Sequence, residues 1–343
     1  MLKKLVNEAH FTLRITTTGP LLIRSGQATI SGPDMTPVLT YRNGQQEIFL
    51  PGSSLKGVFR SHSEKVVCSL RPGVVCYPFA GNEKMEADLE QRRRDYRESC
   101  GERFNRYAKE GADDSEKAAH RNTLERRTDL VYGDSCPTCR LYGSTGFIGR
   151  IAIGDAYLAS RSLTEQRDGI GIDRLTGGVS HSANFHLEVV SRDVSFETDI
   201  HLRNFEIWQL GMLFVVLQDM EDELIRIGSG RSRGLGKVTA QVSEQERNGR
   251  PGGFVISSFR ADEPLDELWG LGRWLNDGSY GTWANDLLKP IPAVEREKRG
   301  IRHLRAFKGQ ALNDLRDAAI EQFVERMQNW PDESKLALVP ARH

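Results

Sequence analysis

The chain has 343 residues, with 47 Lys or Arg and 47 Asp or Glu, so its formal net charge is zero. This length is enough to bury a sizeable core in one elaborated domain or two. Zero net charge excludes a global basic field, so binding of a polyanion must depend on local clusters of cations. No signal-peptide core and no apolar run long enough to span a bilayer is evident. We therefore expect a cytoplasmic protein without membrane contact.

The first elements alternate in polarity and then change to helical spacing. Residues 10–16 predict a half-buried strand, and residues 47–50 predict another that ends at Pro51. The apolar positions that follow predict an amphipathic helix over 53–70. Between the strands, Asp34 lies in a loop rich in Gly and Pro, where most aspartates only shape turns.

The start of this helix carries the groups that bind anions. Ser53 or Ser54 is a natural N-cap, and Lys56 and Arg60 stand in the first turns. Free amides, hydroxyls, the positive end of the helix dipole and two cations predict a phosphate site. The alternative is a well-capped amphipathic helix whose basic residues are solvated.

A charged segment over 83–127 separates these elements from the rest. Its few aliphatic residues predict one or two polar helices, inserted between core elements or partly disordered. We assign it no chemistry of its own beyond loose contact with a partner or with RNA.

The second half of the chain predicts a closing set of elements. Residues 150–158 predict a strand, 185–189 and 194–202 a β-hairpin, 205–227 a buried helix and 238–242 a final strand. Together with the first half, this order matches an α+β fold of the ferredoxin-like (RRM-like) β-α-β-β-α-β type. We assign residues 1–260 to this domain and 261–343 to a helical C-terminal extension.

A glycine-rich loop between the buried helix and the final strand is the second phosphate-binding candidate. Glycines that adopt positive φ expose backbone amides, and nearby cations add charge. The residues concerned are Gly228, Gly230, Gly234, Gly236, Arg231, Arg233 and Lys237. The alternative is a flexible connection without a ligand, and the loop is not a Walker motif because Val238 follows Lys237.

Cysteine spacing predicts a metal site. Cys136 and Cys139 form a C-x-x-C turn, which supplies half of a tetrahedral zinc site. The remaining ligands must come from Cys68, Cys76, Cys100, His62 or His120. Cys76 is favoured as the third ligand because it follows the first helix where the chain returns, and Cys100 is the choice for the fourth. Unlinked buried cysteines are the alternative.

Several of these motifs resemble one family. The strings PGSSLKGVFR at 51–60, CPTCRLYGSTGFIGRI at 136–151 and GIDRLTG at 171–177, with the glycine loop, occur in the order found in the RAMP superfamily. They resemble in particular the Cas-seven-type backbone subunits of type III CRISPR effector complexes. The resemblance covers about residues 11–242, interrupted by the charged segment.

The resemblance implies roles for individual residues. Asp34 would act in Mg²⁺-dependent cleavage of target RNA, although its spacing to Pro37 departs from the family pattern. Residues 168–185 would form a thumb-like hairpin that contacts RNA and carries Arg174. The implied zinc is structural, held by Cys76, Cys100, Cys136 and Cys139. The implied RNA-binding residues are Ser53, Ser54, Lys56, Arg60, Arg174, Arg231, Arg233 and Lys237.

The leading expectation is therefore a subunit that binds CRISPR RNA, assembles with other effector subunits and cuts the paired target RNA. A non-catalytic, zinc-stabilised RNA-binding scaffold is the first alternative. The second is an endoribonuclease that processes CRISPR RNA with a histidine base, for which His181 and His186 are the candidates.

Overall fold

The computed structural model describes residues 4–25, 33–42, 44–77, 97–247, 249–259, 262–292, 294, 296–332 and 338. Helices and strands combine there around one large antiparallel sheet. No helix in these ranges is both long and apolar enough to cross a lipid bilayer.

The elements are numbered along the described chain. The strands are β1 (Asn7–Thr17), β2 (Leu39–Arg42), β3 (Gln45–Leu50), β4 (Gly143–Ser144), β5 (Phe147–Ile148), β6 (Ile151–Ile153), β7 (Ala156–Leu158), β8 (Thr164–Ile172), β9 (Val179–Val190), β10 (Ser195–Arg203), β11 (Val238–Val242), β12 (Phe254–Ser258), β13 (Leu268–Trp269), β14 (Leu287–Leu288), β15 (Arg296–Arg299) and β16 (Arg302–Phe307). The helices are α1 (Gly52–Leu70), α2 (Cys100–Tyr107), α3 (Asp114–Arg126), α4 (Thr128–Gly133), α5 (Pro137–Tyr142), α6 (Ile207–Glu221), α7 (Leu271–Leu275) and α8 (Gly309–Gln328), with 3₁₀ turns at Arg231–Arg233 and Ser279–Gly281.

Strand β1 lies at the centre of the main sheet. It pairs along its length with β10, and its other edge pairs with β12 at one end and β11 at the other. Strand β10 pairs in turn with β6 and β7. Within this one sheet, neighbouring antiparallel strands therefore follow the order β11, β1, β10 and then β6 and β7. Helix α1 lies between β1 and β6 in the chain, and α6 connects β10 to β11.

The two faces of β1 differ in polarity because successive side chains of a strand point to opposite sides. Ala9, Phe11, Leu13 and Ile15 are buried in the core. The Phe11 ring stacks on Phe254 of β12, with 4.9 Å between ring centroids. Helices α1, α6 and α8 contact one another and pack on this apolar face. The opposite face of the central strands remains polar.

Helix α6 is apolar almost all round because other elements cover it on several sides. It packs against β11, α1 and α8. At Gly211 an added Cβ would lie 2.0 Å from the backbone oxygen of Ala319, so only glycine permits this close approach of α6 and α8.

The predicted hairpin of 185–189 with 194–202 is wrong in its pairing. Strand β9 pairs with β8, whereas β10 joins β1 in the main sheet. Between them the chain turns a corner at Asp193, where φ is 64°. The β8–β9 pair includes the residues 168–185 that we expect to form a thumb-like hairpin.

The expected helical extension over 261–343 is wrong for its middle part. Strands β15 and β16 form a hairpin there, and β16 pairs with β12 of the main sheet. The basic residues of this segment do not indicate a buried strand in the sequence. Arg305 is nevertheless buried in β16, because it forms an ion pair with Glu263 at 2.9 Å. The boundary expected near residue 260 therefore lies within one sheet.

The charged segment also has more structure than its composition predicts. Residues 83–96 lie outside the described residues, but the remainder forms helices α2 and α3. Cys100, Arg103 and Phe104 of α2 are buried, so this part of the segment packs against the domain.

Candidate metal centre and nucleic-acid interface

Four cysteines from three chain segments meet at one buried point, which we call the cysteine cluster. The Sγ atoms of Cys76, Cys100, Cys136 and Cys139 all lie within 4.8 Å of one another, and all four side chains are buried. Cys76 Sγ lies 3.5 Å from Cys139 Sγ and 3.6 Å from Cys136 Sγ. No disulfide joins these thiols.

Local backbone structure places each cysteine. Cys136 is the N-cap of helix α5, where its Sγ accepts a hydrogen bond from the Cys139 amide at 3.4 Å. Cys76 forms a backbone bridge with Arg97, and Cys100 opens helix α2 three residues later. The C-x-x-C turn thus supplies two sulfurs, and the return of the chain after α1 and the charged segment supply the other two.

Hydrogen-bond donors outside the four thiols approach Cys139 and Cys100, and such donors stabilise thiolates that bind metals. An Arg60 Nη2 lies 3.3 Å from Cys139 Sγ, and an Arg97 Nη2 lies 3.3 Å from Cys100 Sγ. The backbone N–H of Cys136 also donates to Cys100 Sγ at 3.2 Å. Burial and Cys100 oppose ionisation of Cys136, but hydrogen bonds with Cys139 and Cys76 lower its pKa to about 7. The neighbouring thiols raise the pKa of Cys76 and of Cys139.

The cluster could bind a metal ion such as zinc. A tetrahedral site with Zn–S bonds of about 2.3 Å places its sulfurs roughly 3.8 Å apart, close to the separations found here. Four cysteine ligands leave no position for water, so such an ion would be structural. Cys76 and Cys100 are in the cluster, whereas Cys68, His62 and His120 are not.

The start of helix α1 differs from the expected phosphate site. Neither serine is the N-cap: Pro51 precedes the helix, and Ser53 and Ser54 are exposed within its first turn. The amide of Gly52 donates to Asp155 Oδ1 at 2.7 Å. A carboxylate of the protein therefore already occupies this end of the helix dipole.

Both cations of helix α1 make internal contacts. Lys56 Nζ donates to the backbone oxygen of Ile151 at 3.2 Å, and burial together with Arg60 lowers the lysine pKa. Arg60 donates to Glu64 Oε1 at 2.8 Å as well as to Cys139. Burial opposes the charge of Arg60, but Cys139 and Glu64 outweigh it and raise the arginine pKa. Both cations line a cleft of about 810 Å³ beside the cysteine cluster.

The glycine loop has the backbone conformation that its glycines predict. Gly228, Gly230, Gly234 and Gly236 have φ values between 69° and 86°. At Gly236 an added Cβ would lie 2.1 Å from the backbone oxygen of Ile227, so a side chain is excluded there.

Some amides of this loop are used inside the protein and are therefore not free for the predicted anion nest. Four of them donate to backbone carbonyl oxygens, namely those of Ser229, Arg233, Leu235 and Gly236. Lys237 forms an ion pair with Glu223, whereas Arg231 and Arg233 are exposed on the 3₁₀ turn. The exposed cations that the loop offers to an anion are therefore these two guanidinium groups.

The glycine loop meets the base of the β8–β9 hairpin. The Arg233 guanidinium lies 5.2 Å from the centroid of the Phe185 ring, within the range of a cation–π contact. Gly169 is opposite Phe185 in the hairpin, and a Cβ there would lie 2.1 Å from the ring. A cavity of about 230 Å³ opens at this point. Its lining residues come from three parts of the chain and are Leu22, Arg24, Met35, Arg167, Asp168, Gly169, Phe185, Leu187, Ser229, Gly230, Arg233 and Leu235.

Asp34 lies at the same base. Its Oδ2 accepts a hydrogen bond from the backbone N–H of His186 at 2.7 Å. The His186 Nδ1 lies 2.7 Å from Asp168 Oδ1, and this carboxylate raises the imidazole pKa. Asp34, Asp168 and His186 are all exposed. Sequence reasoning missed Asp168, whose only signal is its position before the run Gly169-Ile170-Gly171.

We call this region the hairpin-base surface. It comprises Arg24, Asp34, Arg167, Asp168, Phe185, His186, Arg231 and Arg233. The predicted groove that combines Lys56 and Arg60 with the glycine loop is thus divided: the helix cations line the cleft beside the cysteine cluster, and Arg233 lines the cavity of the hairpin-base surface.

Arg174 lies at the far tip of the hairpin, roughly 20 Å along the strand from Asp168 at about 3.3 Å per residue. Asp173 shapes the tip, because its Oδ1 accepts hydrogen bonds from the amides of Leu175 and Thr176, which lower the aspartate pKa. Leu175 is 97% exposed. The tip therefore offers a cation and an apolar side chain to a partner. The side chain of His181 lies outside the described residues.

Comparison with known proteins identifies a family. A family model, that of the RAMP superfamily, matches residues 14–239, from strand β1 into strand β11. A search of the curated proteins finds none that matches the chain.

Proposed function

The chain belongs to the RAMP superfamily, which is associated with CRISPR RNA-binding proteins, and we propose that it is a CRISPR-RNA-binding backbone subunit of a type III effector complex. The matched residues include the helix start, the C-x-x-C turn, the hairpin and the whole glycine loop. The strand order β11, β1, β10, β6/β7, with helices between, supports a ferredoxin-like core.

The observation that carries this proposal is the convergence of three distant segments at the hairpin-base surface. Exposed guanidinium groups from the glycine loop and the hairpin surround one cavity there. An aromatic ring positions one of them, since Arg233 lies over Phe185. Such a surface suits recognition of phosphates and 2′-hydroxyls rather than of base edges.

Zinc in the cysteine cluster is part of the proposal. The ion would join the segment that follows α1, the C-x-x-C turn and the charged segment, and so hold one flank of the domain in shape. This structural role needs no open coordination position, so the zinc ion would take no part in RNA cleavage.

We also propose that Asp34 acts in the cleavage of guide-paired target RNA. Asp34 and Asp168 are the carboxylates of the hairpin-base surface that would hold Mg²⁺ together with RNA oxygens. The ion would neutralise charge at the scissile phosphate. Among the described residues, only the cysteine cluster brings together three or more potential metal ligands, so the RNA itself must supply part of such a site.

The experiment is Asp34→Ala in the assembled complex, with target-RNA cleavage and guide-RNA content measured together. We expect cleavage to fall by about 10²-fold or more while guide RNA is retained. Asp314→Ala, which removes an exposed carboxylate on helix α8, is the control. Unchanged cleavage would favour the non-catalytic scaffold.

A second candidate function rests on the His186–Asp168 pair. An imidazole oriented by a carboxylate can act as a general base, so His186 fits metal-independent processing of precursor CRISPR RNA. The isolated protein should be incubated with precursor repeat RNA without added Mg²⁺. Specific cleavage that His186→Ala abolishes would favour processing, whereas intact precursor would favour the backbone subunit.

A further inference from the structure

A second concentration of positive charge lies on the polar face of the main sheet and shares no residue with the hairpin-base surface. A cleft of about 620 Å³ opens there. We call it the arginine cleft, and its charged or titratable lining residues are Arg203, Arg250, Arg299, Arg302, His10, His201, Glu8 and Asp199.

The sheet register explains why these groups gather. In the antiparallel pair of β1 with β10, Glu8 is opposite Arg203 and His10 is opposite His201. These side chains alternate with the buried core residues and so point away from helices α1, α6 and α8. The loop after β11 contributes Arg250, and the last residue of β15 is Arg299; these two side chains form the walls of the cleft.

Glu8 organises the floor of the cleft. It is 6% exposed, and its Oε1 lies 2.9 Å from His201 Nε2 and 3.6 Å from Arg203 Nε. Its other oxygen accepts from Arg302 at 3.0 Å. Hydrogen bonding to His201 and Arg302 lowers the pKa of Glu8 despite its burial. One buried carboxylate therefore fixes three basic groups without neutralising all of them.

Arg250 and Arg299, which form the walls of the cleft, carry positive charge that no carboxylate of the described residues neutralises. Arg299 donates to the backbone oxygen of Gly249 at 2.7 Å, and Asp199 accepts from Thr12 Oγ1 at 2.7 Å. Within the described part of the chain, no carboxylate forms an ion pair with Arg250 or Arg299. Four arginines thus face two carboxylates in a cleft of a chain whose net charge is zero.

We propose that the arginine cleft binds phosphate groups of an RNA strand, as a second contact separate from the hairpin-base surface. Guanidinium groups form paired hydrogen bonds with phosphate oxygens, and all four full cations lining the cleft are arginines. The positive field is local and preorganised, as binding of a polyanion by a neutral chain requires. The choice of RNA over an acidic protein segment rests on the proposed function.

The test compares full-length double variants by fluorescence anisotropy with a single-stranded oligouridylate over a range of salt concentrations. Arg250→Gln/Arg299→Gln removes the two walls and leaves the contacts of Glu8 intact. We expect weaker binding and a salt slope smaller by about 1.4, since each phosphate contact on a single strand contributes about 0.7. Arg121→Gln/Arg126→Gln removes the same charge from exposed positions of helix α3 and should leave the slope unchanged.

A local measurement accompanies it. The imidazole resonances of His10 and His201 should shift when the oligouridylate is titrated into the wild-type protein. The cleft proposal would be overturned if the cleft variant had the same salt slope as the wild type and the histidine resonances did not shift with the oligouridylate. If Arg231→Gln/Arg233→Gln still weakens binding in that case, the proposed function stands.

Two other results separate the claims. A smaller salt slope in the cleft variant, with an unchanged slope in Arg231→Gln/Arg233→Gln, would support RNA binding at the cleft and count against RNA binding at the hairpin-base surface. Shifts of the histidine resonances with polyglutamate and not with oligouridylate would overturn the proposal in favour of an acidic protein segment. Absence of RNA binding by the wild-type protein would overturn both claims.

Discussion

The start of helix α1 and the hairpin-base surface both place cations beside glycine-bearing turns, but only the second leaves them exposed to a ligand. Lys56 and Arg60 are half-buried and donate to groups of the protein. Arg231 and Arg233 are exposed on their turn. Lys56 and Arg60 thus stabilise the fold, whereas Arg231 and Arg233 are free to contact a ligand.

The difference follows from the nearest acceptors. A desolvated guanidinium is stable only where negative or polar groups satisfy it, and Arg60 has Glu64 and Cys139 within reach. Removal of such a group leaves buried partners unpaired, so it costs folding or metal binding. Removal of an exposed arginine costs the fold little and affects the ligand instead.

The largest expected effect comes from the cysteine cluster. Cys139→Ser should abolish stoichiometric zinc and lower the free energy of unfolding by more than about 4 kcal/mol, because loss of a structural metal uncouples the segments it joins. Metal analysis and thermal unfolding measure both quantities. Cys68→Ser, outside the cluster, is the matched control. Zinc that persists in Cys139→Ser would refute the metal centre.

Arg60→Met should destabilise the metal centre and not RNA binding specifically. Lost hydrogen bonds to charged partners cost about 2 kcal/mol, which should appear as faster zinc loss to a chelator and a lower unfolding temperature. Lys65→Met changes an exposed cation of the same helix and should alter neither. If zinc is retained while RNA affinity falls, Arg60 contacts RNA and the distinction between the two regions fails.

Arg231→Gln/Arg233→Gln should show the reverse pattern. Loss of two phosphate contacts should weaken RNA binding roughly tenfold at physiological salt, with the stability unchanged within about 0.5 kcal/mol. Arg121→Gln/Arg126→Gln on helix α3 removes the same two charges from exposed positions and is the control. Equal affinity of the double variant and the control would exclude the glycine loop from the interface.

The smallest expected effect is a pH dependence from His186. Asp168 raises the His186 pKa above its usual 6.5, so the cationic form persists to higher pH. If this cation contacts phosphate, RNA binding should be strongest below about pH 6.5 and weaken a few-fold as the pH rises through the raised pKa. Asp168→Asn should move the midpoint down, and His186→Asn should remove the dependence. A profile identical to wild type in His186→Asn would exclude the imidazole.

Local patterns predict the central elements well. The alternation in β1 and the helical spacing of α1 indicate elements that the structure places within three residues of the prediction. Helix α6 is also present, but it ends at Glu221, six residues before its predicted end. The C-x-x-C turn likewise identifies half of the cysteine cluster, because spacing alone positions two thiols. A mixed fold with an antiparallel sheet follows from these patterns.

Choices between distant partners are not visible in local sequence. Asp155 takes the place of a serine cap although it lies about a hundred residues from Gly52. Strand β9 pairs with β8 rather than β10, and β16 is concealed by a buried arginine that Glu263 neutralises. Each case depends on a contact that forms only after the chain has folded.

Ultraviolet cross-linking of RNA to the protein purified from its native source, with mass spectrometry of the linked peptides, tests the central claim most directly. We expect cross-links in peptides that contain residues 167–187 or 229–235, at the hairpin-base surface. Cross-links confined to residues 52–61, or a native assembly without any RNA, would contradict the account.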